Sequence, residues 1–191
     1  MNKIFASLML AAFALAGFPV MADEYSDTIN LFKKAGESAS FFNNSYGYAV
    51  FPSVGKGGLV VGAAHGDGRV YEKDKYIGDT SMTQVSVGFQ AGGEAFSQII
   101  FFENKAALDQ FTGGNFEFGA DVNAVAIKSG ASGSVGTSGA AASASTGGGK
   151  EAGTATKYYK GMAVFTIVKG GAMVQATVGG QKFKYKAVGG T

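Results

Sequence analysis

Apolar residues recur along this chain in three rhythms. Ile4 to Ala16 is an uncharged apolar run that follows Met1, Asn2 and Lys3, and Gly17 and Pro19 break it. Ile29, Phe32, Ala35, Ala39 and Phe42 then return at helical spacing, with Lys33, Lys34 and Glu37 on the other side. That spacing predicts an N-terminal helix started by Asp27, with Gly36 weakening its interior.

From Tyr46 the rhythm becomes that of strands. Tyr46 to Val54 predicts one strand, ended near Pro52, and Leu59 to Ala64 a second. Asp67-Gly68 has the residues of a two-residue hairpin turn leading into Val70 and Tyr71. Thr83, Val85, Val87 and Phe89 alternate with Gln84, Ser86, Gly88 and Gln90, the pattern of a half-buried strand. Gly92-Gly93 turns the chain, and Ala95 to Phe102 returns with apolar residues on both faces. Asn104 is placed to cap a short helix whose inner side is Ala107, Leu108 and Phe111. Phe116 and Phe118 flank Glu117 and open a strand running toward Ile127.

Ser129 to Gly149 breaks the rhythm, because apart from Val135 it holds only Gly, Ala, Ser and Thr. Such a stretch buries too little surface to offset its ordering entropy, so about 129–156 is expected to be a flexible loop inside the domain. Lys157 to Val168 then reads as a central strand, followed by a turn at Gly170-Gly171 and a strand from Ala172 to Val178. Gly179-Gly180 predicts a tight hairpin to the last strand. In that strand Phe183 and Tyr185 take one face, and Lys182, Lys184 and Lys186 take the other. The expected fold is therefore α+β: a β-rich single domain of mainly antiparallel strands, meander- or barrel-like, with an N-terminal helix and a short mid-chain helix.

The opening run has the anatomy of a cleavable signal peptide. A positive start precedes an apolar stretch too short for a comfortable span, and Val20-Met21-Ala22 offers small residues for cleavage before Asp23. Residues 1–22 are expected to be removed, leaving 23–191 as one exported, periplasmic domain. The chain has no cysteine, which excludes a lipoprotein-type anchor, a disulfide framework and a thiolate metal site. With 46% apolar residues it can still build a core unaided. A formal net charge of +2 gives no bulk attraction to nucleic acid.

Chemistry is sparse. The sole histidine, His65, stands beside Asp67 without further metal ligands, and no serine sits in a Gly-x-Ser-x-Gly elbow. Lys56 and Lys150 follow glycines but lack the rest of a phosphate-binding loop. Glu94, Glu103, Asp109, Glu117 and Asp121 are scattered, with no spacing that makes an acid pair. The expectation is a binding protein with no catalytic residue, metal or cofactor. The one ordered feature is the stripe Lys182, Lys184 and Lys186, which suits either protection of a sheet edge or contact with an anionic lipid surface.

The motifs also resemble a known family. Phe51-Pro52-Ser53-Val54-Gly55-Lys56-Gly57-Gly58 is similar to the opening signature of the SYLF domain family. Gly66-Asp67-Gly68-Arg69-Val70-Tyr71, Gln84-Val85-Ser86-Val87-Gly88-Phe89-Gln90, Phe116-Glu117-Phe118-Gly119-Ala120-Asp121 and Lys160-Gly161-Met162-Ala163-Val164-Phe165 follow in order. The resemblance implies a compact, β-rich domain that binds phospholipid. In an exported protein the partner would be an anionic phospholipid of the envelope; the strand pattern alone, not the resemblance, points to Lys182, Lys184 and Lys186 as the residues that hold it, with Phe41 and Phe42 assisting. The alternatives are an envelope structural or protein-interaction module and a small outer-membrane β-barrel. Against the barrel stand the expected helices and a terminal Gly-Gly-Thr in place of an aromatic residue.

Overall fold

The computed structural model describes residues 23–57, 61–87, 94–119, 121, 122, 124–129, 135, 136, 158–170 and 178–189. The expected signal peptide and most of the Gly/Ala/Ser/Thr-rich segment lie outside these residues. So does most of the 172–178 strand.

The expected N-terminal helix is two helices, α1 (Glu24–Lys34) and α2 (Gly36–Asn44). The break falls at Ala35, whose backbone is extended and whose side chain is buried. Interrupting the ladder orphans carbonyls, and the buried Ser38 hydroxyl donates to Phe32 O at 2.7 Å. The cap is Asp23 in place of Asp27: its carboxylate accepts from Tyr25 N and pairs with Arg69 at 2.5 Å.

Among the described residues nine strands form one sheet in the order β5-β9-β3-β2-β1-β4-β8-β6-β7, antiparallel except where β6 runs parallel to β8. They are β1 (Gly47–Gly57), β2 (Val61–Glu72), β3 (Lys75–Val87), β4 (Glu94–Phe102), β5 (Asn115–Glu117), β6 (Val125–Ser129), β7 (Val135–Gly136), β8 (Met162–Gly170) and β9 (Gln181–Ala187). Helix α3 (Lys105–Thr112) lies between β4 and β5, and Asn104 caps it as expected, accepting from Ala107 N at 3.0 Å.

The central strands carry apolar residues on both faces because both are covered. Ala49, Phe51, Ile100, Phe102, Met162 and Val164 join one core with α3. Tyr48, Val50, Ile99, Phe101, Ala163 and Phe165 join the other, beneath Ile29, Phe32 and Phe41 of α1 and α2. Both β4 and β8 were legible from this pattern.

Several expectations change. Pro52 does not end β1, which runs on to Gly57; the register against β2 and β4 shifts between Val50 and Val54, so the residue without an N–H sits in the irregularity. Asp67 and Gly68 are not a turn but the middle of β2, opposite Ser81 and Thr80. The turn is Lys73-Asp74, both at positive φ (49° and 64°), the geometry that matches strand twist in a two-residue hairpin. In β3 the buried face is Thr80, Met82 and Gln84, while Val85 is 70% exposed. The stretch from Phe116 to Ile127 is two strands, β5 and β6, on opposite sides of the sheet order.

Candidate functional site

Strand β9 alternates as the sequence requires. Phe183 is buried against the rings of Phe51, Phe111 and Phe118. The half-buried Tyr185 donates its hydroxyl to Ile77 O at 2.8 Å, and burial raises its pKa. Lys182, Lys184 and Lys186 are exposed on the opposite face. Their backbone is held by β3, with Thr83, Ser81 and Asp79 opposite, and by β5, with Glu117 opposite Lys182 and Asn115 opposite Lys184. Over Lys182–Lys184 the stripe is thus not an edge, which removes the simplest structural reason for those two lysines. Lys182 lies 3.7 Å from the Glu117 carboxylate. Among the described residues neither Lys184 nor Lys186 has an ion-pair partner.

A second cluster was not legible. Asp121 accepts hydrogen bonds from the Tyr159 hydroxyl and from Lys160 Nζ, the latter at 3.0 Å. The Tyr159 bond first, then the Lys160 bond, hold the Asp121 carboxyl down at about 2. Lys160 and Gly161 adopt positive φ (50° and 77°) and reverse the chain so that Tyr159 meets Met162. This places Tyr159 and Lys160 beside the loop after β5. The only local signal was the turn-forming Lys-Gly pair, and nothing in the sequence ties it to a carboxylate 39 residues earlier. Beside the cluster is a cavity of about 150 Å³ lined by Phe116, Phe118, Val122 and Met162, with Glu117 and Lys160 among its polar members.

The remaining candidates are dispersed. His65 and Asp67 lie 3.7 Å apart on the exposed face of β2. Asp109 pairs with Lys105 at 2.7 Å within α3. Among the described residues no group of three or more His, Cys, Asp and Glu could hold a metal ion. Among them, too, no helix is long and apolar enough to cross a membrane. Phe41 is 6% exposed, stacked on Phe101 and edge-on to Phe165 and Tyr158, so it is core and cannot assist a ligand as expected. Phe42 is half-buried, edge-on to Tyr48 and Phe101.

Comparison with known proteins agrees with the motifs. The model of the family described as "Las17-binding protein actin regulator" (Ysc84) matches residues 83–186, from β3 to β9. Beta cell expansion factor A of Aeromonas veronii is 30% identical over 158 residues, 81% of this chain and 51% of that protein. The chain therefore spans about half the length of that curated relative. With a match over more than half of its length, the chain belongs to the Ysc84 (SYLF) family of binding and regulatory domains.

Proposed function

We propose that the protein is exported to the periplasm and binds anionic phospholipid headgroups, without catalysis, on the lysine face of β9. The observation that carries this reading is the stripe itself. Three ammonium groups project from one exposed strand face while Phe183 and Tyr185 anchor the other in the core. Headgroups would meet cations on a rigid strand, so little ordering entropy is lost on binding. Each lysine near an anionic membrane contributes on the order of 1 kcal/mol. Glu117 offsets part of the share of Lys182, which leaves Lys184 and Lys186 as the main contributors.

Flotation of the purified protein with anionic and zwitterionic liposomes, at low and high salt, tests the reading. The expected result is anionic-selective, salt-sensitive flotation. Changing Lys182, Lys184 and Lys186 together to Gln should weaken it by about 2–3 kcal/mol. The protein recovered from a periplasmic fraction should begin at Asp23. Flotation that ignores lipid charge, or survives the triple change intact, overturns the assignment of the site.

A further inference from the structure

The cavity beside β5 has a shape and a charge arrangement that the lysine stripe does not explain. Phe118, Val122 and Met162 in its lining are buried, whereas Glu117 and Lys160 are exposed, so the apolar residues form its depth and the charged ones its mouth. The mouth is electrically balanced: Glu117 is paired with Lys182, and Asp121, next to Lys160, is paired with Lys160. A balanced mouth over an apolar interior favours an uncharged group inside. At about 150 Å³ the space holds something the size of benzene, or roughly six carbons of an alkyl chain.

Its position links it to β9. Glu117 both lines the cavity and pairs with Lys182, so cavity and stripe share one residue. Strand β5 is the last in the sheet order on that side. A molecule can therefore lie on the outer face of β9 and turn around β5 into the cavity. From Lys182 to Lys184 is one two-residue step, about 7 Å.

Resting on the lipid reading above, we propose that this cavity takes the end of a single alkyl chain whose anionic head lies on Lys182 and Lys184. The charge pattern assigns the two halves of such an amphiphile to the two places: the anion to the lysine pair, of which Lys184 has no ion-pair partner among the described residues, the hydrocarbon to the neutral-mouthed pocket. The pocket would make the protein selective for chain as well as charge. It would favour single-chain anionic lipids, whose chain can leave the bilayer most easily.

Soluble probes separate this from bilayer binding. Ethyl, butyl, hexyl and benzyl phosphate would be titrated into the full-length protein, following the tyrosine and methionine resonances by NMR, with inorganic phosphate as control. The expected result is affinity rising about three- to fourfold per added methylene up to hexyl, with shifts at Tyr159 and Met162. Val122→Phe, which fills the cavity, should abolish the dependence on chain length. Met162→Phe serves the same purpose if the first variant is unstable. Equal binding of ethyl and hexyl phosphate, no response to any ester, or a chain-length dependence that survives both variants overturns the proposal. A clear preference for benzyl over hexyl phosphate also overturns it, in favour of an aromatic side chain of a protein partner. If flotation fails while the chain-length dependence holds, the bilayer reading falls and the cavity remains.

Discussion

Asp121 shows how an exposed carboxylate can be tied into the fold. Its hydrogen bonds from Tyr159 and Lys160 favour the ionised form and bring its pKa to about 2, below the value of about 3.9 for an unperturbed aspartate. A depressed carboxyl pKa adds stability that is present above the unfolded value and lost as pH falls through the folded one. Asp121→Asn should therefore lower the midpoint of thermal unfolding at pH 7. The difference from the natural protein should shrink between about pH 4 and pH 2 and then vanish. Thermal melts across that range check it, and a difference that persists below pH 2 would mean that Asp121 acts by shape rather than charge. The opposite shift occurs at Tyr158, where burial first and then the Glu103 charge push the phenol up to about 12. None of this was legible from the sequence, because residue type gives no hint of which lysine or tyrosine the chain returns to a given carboxylate.

At the scale of elements the legible parts were those where one local rule decides. Asn104 followed by Ala107, Leu108 and Phe111 gave α3, and two-sided apolar runs gave β4 and β8. The alternation of β9 also held, though its described neighbours are β3 and β5. The failures come from glycine and polar residues having two meanings. By sequence Gly68 reads as turn chemistry, yet in β2 it lets Phe51 approach: an added Cβ would meet the Phe51 ring at 2.6 Å and Val50 O at 2.8 Å. In β3 the polar Gln84 points inward because a partner awaits it, Gly179 O at 3.1 Å, and this puts Val85 outside. Turn and strand readings of Gly68 predict different mutants. In the strand, Gly68→Ala should cost about 1–3 kcal/mol by overpacking, while Asp67→Ala, exposed on the same strand, should stay within about 0.5 kcal/mol. Urea denaturation of both variants decides between them, and a neutral Gly68→Ala would contradict the close approach of β1 and β2.

For the whole molecule the decisive contact is the one that curls the sheet. Gln98 on β4 and Gln181 on β9 are separated in the sheet by β3, β2 and β1, yet their side-chain amides exchange hydrogen bonds at 2.9 and 3.1 Å across the interior. Both are fully buried, so each satisfies a polar group the other would otherwise strand. This pairing ties β9 to β4 across the interior, and it fixes the strand that carries the lysines. Gln98→Leu should then cost about 1–3 kcal/mol, because the Gln181 amide loses its partner in a fully buried site. Gln181→Leu should cost a similar amount for the same reason. The double variant removes both polar groups at once and should recover most of the loss, giving a coupling of about 1 kcal/mol or more in a denaturation cycle. If the two losses simply add, each glutamine acts through its own packing, and curvature must be set by the β1 irregularity alone. If they couple, the double variant should also retain the salt-sensitive liposome binding of the natural protein while each single variant weakens it, since a loosened β9 would no longer hold its lysines in one row.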